Sequence, residues 1–196
     1  NRLDAIIYDT KVRLTMPQSL DERVVILDID EKSLGEIGRW PWGRDRVSHL
    51  IKKLFDQHGI TLLGFDVVFA EPDESSGLKV LDALARNELK DSAQYQTALQ
   101  ALRSQLDNDG RFAETLKGRP VILGYYLSGR SDGVSSGALP PPVLPEGSFT
   151  GHSIPFTVWA NYGGNLAEFQ KAALSGGHFN PLVVFDGISR RVPLLA

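Results

Sequence analysis

Two apolar runs in the first third of the chain set the pattern. Val24-Val25-Ile26-Leu27 leads into Asp28-Ile29-Asp30, and Leu62-Leu63-Gly64-Phe65-Asp66-Val67-Val68-Phe69 leads into Glu71-Pro72-Asp73. Each run has strand length and stops on carboxylates. Val24 to Ile29 is nearly continuous in apolar residues, which suits a strand buried on both faces. Between the runs, Val47, Leu50, Ile51, Leu54 and Phe55 recur at helical spacing, with Lys52, Lys53, Asp56 and Gln57 off that stripe. This predicts an amphipathic helix over 44–58, closed by Gly59. Strand, crossover helix and strand make a βαβ unit. Ligands of open α/β sheets usually sit beyond the carboxyl ends of the strands. Asp28, Asp30, Asp66 and Glu71 fall at those ends.

Residues 1–14 carry a partial helical stripe of Leu3, Ile6, Ile7 and Val12, read as a helix covering the sheet. Asp30 is placed to cap a short helix ending at Ile37 and Gly38, which competes with a ligand role for its carboxylate. Asp28 has no capping role to occupy it. Trp40-Pro41-Trp42 is a rigid aromatic turn, either a lid on the end of the core or a ligand or partner surface. Arg44 starts a helix, where the dipole disfavours a cation. A salt bridge to Asp28 or Asp66, or an anion-binding role, would account for it.

Further on, residues 78–90 and 91–106 read as a helical pair, long for a crossover. Asp107-Asn108-Asp109-Gly110 resembles part of a calcium loop, but Gln105 and Leu116 occupy positions that need ligands, so it reads as a turn capping a helix over 111–117. A third strand follows over 120–127. Residues 128–156, rich in Gly, Ser and Pro, form a long surface excursion. A short strand over 156–159 and a helix over 166–174 come next. Leu182 to Phe185, the turn Asp186-Gly187 and the return Ile188 to Leu195 predict a hairpin in which Arg190 and Arg191 point to opposite faces. The expected fold is α/β: a mixed sheet with a parallel βαβ core, a C-terminal antiparallel hairpin and covering helices.

At 196 residues the chain fits one domain with a real core, here taken as 1–196 with a helical segment over 1–14. A net charge of −3 argues against a nucleic-acid partner, which needs clustered Lys and Arg. There is no cysteine, so the core forms without disulfides and no thiolate metal site is possible. No apolar run approaches the roughly 20 residues that span a bilayer. With no visible signal peptide and no initial methionine, the chain reads as an excised soluble piece.

Phosphate-cradle, dinucleotide-fold and nucleophile-elbow motifs are all missing, and His49, His58, His152 and His178 lack zinc spacing. The acids at the strand ends remain. They suit a hard cation such as Mg²⁺ or Ca²⁺, or metal-dependent hydrolase or phosphotransferase chemistry. They equally suit a binding pocket for a small molecule or ion, formed by Asp28, Asp30, Asp66 and Glu71 with Trp42 and Arg44 at the rim and no catalytic residue. A third reading is a dimerisation module.

Several motifs together resemble the second CHASE family. They are Leu27-Asp28-Ile29-Asp30-Glu31-Lys32-Ser33-Leu34, residues 38–44 (Gly-Arg-Trp-Pro-Trp-Gly-Arg) and residues 64–73 (Gly-Phe-Asp-Val-Val-Phe-Ala-Glu-Pro-Asp). Tyr8-Asp9, Gly177-His178-Phe179 and residues 186–193 (Asp-Gly-Ile-Ser-Arg-Arg-Val-Pro) add to the likeness. The resemblance implies an extracytoplasmic sensory domain of a bacterial membrane receptor with a nucleotide cyclase or histidine kinase output. It also implies flanking transmembrane helices and a homodimer. Family members carry further strands and helices after the Arg-Arg-Val-Pro segment. Against that pattern the chain is a shorter or a partial domain.

Overall fold

The computed structural model describes residues 2–17, 19–130, 133–154, 157–183 and 186–195. It divides into two compact units, Asn1–Trp40 and Pro41–Ala196.

The first unit holds helix α1 (Arg2–Thr15) and helix α2 (Glu31–Ile37). Asp30 caps α2 as expected, accepting the Ser33 N–H at 2.8 Å, and Gly38 ends it. One expectation fails here. Val24 to Ile29 forms no strand, and Val24 to Leu27 lie exposed. A β-branched run becomes a strand only where a neighbour supplies ladder partners, and among the described residues none pairs with it. Instead, the Val24 N–H closes a turn on the Asp21 carbonyl at 3.1 Å. None of the described residues of α1 is buried within its unit.

The second unit is built on the sheet. Helix α3 (Arg44–Asp56) leads to strand β1 (Leu63–Gly64). Helices α4 (Leu78–Arg86), α5 (Ala93–Leu106) and α6 (Asn108–Leu116) follow, then strand β2 (Val121–Ser128). Strand β3 (Asn161–Gly163), helix α7 (Ala167–Ala172), strand β4 (Ser175–His178) and the pair β5 (Leu182–Val183) and β6 (Ser189–Arg191) complete it.

Strand β2 is the spine of a mixed sheet. It pairs in parallel with β1 (Leu63 opposite Val121) and with β4 (Ile122 opposite Ser175), and antiparallel with β3 (Tyr126 opposite Gly163). The parallel core therefore exists, but β1, β2 and β4 make it rather than the run at 24–29. The C-terminal hairpin forms as β5 and β6, a separate antiparallel pair. The strand expected over 156–159 lies elsewhere: residues 157–159 are not in a strand, β3 begins at Asn161, and Phe156 falls outside the described residues. Val184 and Phe185 of the expected hairpin fall outside them too.

The core is aromatic. Phe69, Phe112 and Phe169 are fully buried and meet edge to face, with ring centroids 5.0 Å apart for Phe69–Phe112 and 4.9 Å for Phe112–Phe169. Such pairs add about 0.5–1.5 kcal/mol each beyond the area they bury. Val47 and Ile51 of α3, Leu99 of α5, Leu116 of α6, and Val121 and Leu123 of β2 are the other buried apolar side chains among the described residues.

Strand β1 is short for a reason visible in its bonds. The Phe65 N–H reaches the Ile122 carbonyl at 2.9 Å, and then the chain leaves the ladder. The Phe69 N–H donates to Asn165 Oδ1 at 2.8 Å, while Asn165 Nδ2 donates to the Gly124 carbonyl at 2.9 Å. Asn165, fully buried, thus ties the end of the β1 run to β2 and leaves Phe69 in the ring cluster. Gly124 is required where the chains meet, since a Cβ there would lie 2.4 Å from the Phe65 carbonyl oxygen.

Candidate functional site

The polar centre of the second unit grows from one residue, Arg44. Gly43 precedes α3 and offers no side chain to cap it. Asp73 supplies the cap from another segment: its Oδ2 accepts the Arg44 backbone N–H at 2.7 Å and an Asn108 side-chain N–H at 3.1 Å. Its Oδ1 accepts the Ser75 N–H at 2.7 Å. The Asp73 N–H in turn donates to Asp109 Oδ2 at 2.8 Å. A carboxylate at a helix start satisfies orphan N–H groups and complements the dipole. Asp73 does this for α3. Asp107 does it for α6, accepting the Gly110 N–H at 2.9 Å, as the turn reading expected.

The Arg44 side chain turns inward and is only 7% exposed as a residue, not at a rim. Its guanidinium carbon lies 4.7 Å from the centre of the Phe69 ring and 5.8 Å from that of Phe169, both positions for cation–π attraction. Its Nη2 donates to the Glu71 carbonyl at 3.0 Å. Among the described residues of its unit, the ion pair it makes is with Asp109, Nε to Oδ1 at 3.7 Å, and not with Asp66. At that distance no hydrogen bond forms, and both atoms, with Ser48 Oγ, are buried without one.

Burial governs the charges. It pulls the Arg44 guanidinium below its ordinary pKa, against the opposing attraction of Asp109 and Asp73. It pushes the Asp109 carboxyl above its ordinary pKa, more than the Asp73 N–H and Arg44 lower it. Both partners therefore report that desolvation outweighs their mutual attraction, as is common for buried pairs. Asp73 shifts the other way. Burial raises it, but the combined hydrogen bonds from Ser75, Arg44 and Asn108 hold it below the usual carboxylate range. Glu168, on α7, is raised by burial and by the charges of Asp109 and Asp107.

Beside this cluster lies a cavity of about 480 Å³, walled by residues 72–79, α4 and the start of α6. Asp73, Asp107 and Asp109 reach it from the cluster, and Lys79, Asp82 and Arg86 from α4. Its size lies within the usual range for a small-molecule site. The mixed charges suit a polar ligand. Among the described residues, no group of His, Cys, Asp and Glu is arranged to hold a metal ion.

The residues singled out in the sequence distribute as follows. Asp28 and Asp30 belong to the first unit, where Asp28 is exposed and Asp30 caps α2. In the second unit Trp42 is half-buried, and Asp66 and Glu71 expose their side chains. Arg44 and Glu71 meet, but through the Glu71 backbone. Asp73, Asn108, Asp109 and Glu168 were missed as site residues. Asn108 and Asp109 stood in a segment read as a turn before a helix over 111–117; both instead lie in the first turn of α6, and of that reading only the Asp107 cap holds.

A family model described as the CHASE2 domain, a family of sensory extracellular domains, matches residues 1–196, the whole chain. No curated protein and no solved structure matches it. Among the described residues, no helix is long and apolar enough to cross a membrane.

Proposed function

The chain belongs to the CHASE2 family, and we propose on that footing that it senses a ligand or other stimulus outside the cytoplasm for a bacterial transmembrane receptor of nucleotide cyclase or histidine kinase type. The family match over the whole chain carries the reading. The site agrees with it: a cavity of ligand size lies beside a buried charged cluster. The domain binds and does not turn over its ligand, and flanking transmembrane helices carry the signal.

A ligand shifts such a receptor only by as much as it prefers one conformation over the other. The Arg44 cluster is placed to express that preference. Asp73 and Asp109 line the cavity and also clamp α3 and α6, so a ligand that draws on their charge changes what holds the helices. Trp42, Asp66 and Glu71 are candidate contacts in the same unit. Asp28 and Asp30 are candidates in the first unit and are tested by themselves.

The test is a thermal-shift screen against divalent cations, nucleotides and small periplasmic metabolites. A compound at one hundred times its dissociation constant adds about 2.7 kcal/mol to the folded state. The reading predicts a hit whose shift is lost in Lys79→Ala or Arg86→Ala. A hit that persists in both variants but disappears in Asp28→Asn would move the site to the first unit. No shift from any class would point to partner contact or membrane strain as the stimulus.

A further inference from the structure

A second cavity, of about 510 Å³, lies over α6 and is walled by α3, α5 and the turn before β2. Lys52 enters it from α3, Arg111 from α6 and Arg119 from that turn, against two acids, Asp107 and Glu114. The cavity beside the Arg44 cluster has the opposite balance, with five acids against Lys79 and Arg86. The excess of cations is local, since the chain carries a net charge of −3. The cations are held in place with donors to spare. Arg119 Nη1 donates to the Thr115 carbonyl at 2.9 Å, and its Nη2 reaches Asp56 Oδ1 at 3.3 Å. Arg111 Nη1 donates to the Gln105 carbonyl at 3.2 Å. A guanidinium has five N–H groups, so each keeps several for a ligand. Lys52 has no ion-pair or hydrogen-bond partner among the described residues. Both acids are engaged already: Glu114 pairs with Lys117 at 3.5 Å, and Asp107 caps α6.

We propose that this second cavity binds a small phosphate-type oxyanion, free or esterified to a polar group. Guanidinium forks match phosphate oxygens, and an ammonium adds a point charge. A planar carboxylate offers two oxygens to one fork. Three cations arriving from three segments suit an anion whose oxygens point several ways. Among the described residues that line the cavity none has an apolar side chain. Sites for bases, acyl chains and drug-like molecules are mostly apolar, so the ligand is polar throughout. The backbone carbonyls that anchor Arg111 and Arg119 reduce the freedom lost on binding. The Ser104 hydroxyl, at the α5 wall, is one more donor. This site does not rest on the sensory reading, and its failure would leave that reading intact.

The test titrates inorganic phosphate into the chain in a phosphate-free buffer, with sodium chloride withdrawn to keep the ionic strength constant. Heat of binding and thermal midpoint are both followed. The proposal predicts saturable heat and a rising midpoint. Lys52→Gln and Arg111→Gln should each weaken phosphate binding about ten-fold, while Lys79→Ala and Arg86→Ala leave it unchanged. Lys52 is exposed and touches no partner, so its variant keeps the fold and the test stays decisive if Arg111→Gln does not. Tighter binding of glucose 6-phosphate than of phosphate would support an esterified anion, and the reverse the free ion. No saturable binding at constant ionic strength overturns the proposal, as does binding that survives both Lys52→Gln and Arg111→Gln. Loss of binding in Lys79→Ala or Arg86→Ala would place the anion in the other cavity and overturn it too. Succinate bound as tightly as phosphate would overturn the preference for a phosphate-type anion.

Discussion

In α3 the apolar stripe takes Val47 to 2% and Ile51 to 0% exposure, whereas the stripe of α1 stays open to solvent along its length. The two helices are of similar length and both are amphipathic in pattern. The difference lies in what surrounds them. Helix α3 packs on α6, and α6 on α7, which brings three phenylalanines into one cluster. In residues 1–40 none of the described residues is buried, and the apolar run at 24–27 is exposed as well. An apolar pattern specifies a face, and the face is buried only where a partner meets it. Stability in this chain should therefore be concentrated in residues 41–196.

The largest effect that would sharpen the contrast is at Phe112. Phe112→Ala should cost about 3–5 kcal/mol, or roughly 10 °C in Tm for a domain of this size, read from urea and thermal melts. Asn165→Ala should cost about 2–4 kcal/mol, because it strands the Phe69 N–H and the Gly124 carbonyl in the interior, each worth about 1–3 kcal/mol when unsatisfied. Hydrogen exchange at the Phe69 amide should speed up in this variant.

The Arg44 cluster gives a smaller, pH-dependent effect. The folded pKa of Asp109 is raised, so the folded state holds this proton more firmly than the unfolded chain. Through Asp109, stability rises as pH falls from neutral through that raised pKa towards 3.8. Asp73 is lowered, and its contribution is complete above 3.8 and lost as pH falls through its folded value. Asp109→Asn should thus stay within about 1 kcal/mol of the parent at neutral pH, the margin expected for a charge near a helix start. The parent should gain on the variant as pH drops to about 4. A variant that is far less stable at neutral pH would show that the ion pair outweighs its desolvation. The smallest effect should be at Ile26. Ile26→Thr is expected to change stability by no more than about 0.5 kcal/mol. A loss comparable to that of Phe112→Ala would break the comparison, since it would mean that residues 24–29 are covered.

The elements whose own residues define them were legible in the sequence. The stripe of α3, the helical pair α4 and α5, the run of β2, the Asp107 cap and the Asp186-Gly187 hairpin all follow from local pattern. Strand β4 was not legible, because Ser175-Gly176-Gly177-His178 has no apolar run and is a strand only through the ladder that β2 offers. The run at 24–29 failed for the converse reason: its residues favour a strand, but no ladder partner meets it among the described residues. In the site, Arg44 stood out as a cation at a helix start. Its true ion-pair partner, Asp109, lies far along the chain in what reads locally as a turn. Such pairings are set by packing and leave no local trace.

The central claim is that the domain binds a stimulus without transforming it. The most direct measurement takes the strongest hit of the thermal-shift screen, determines its binding at equilibrium, and analyses the compound after prolonged incubation with the domain, with and without chelator. The account predicts saturable binding, with the compound recovered unchanged under both conditions. Chelator-sensitive conversion of the compound would contradict it and assign the acids to hydrolase or phosphotransferase chemistry.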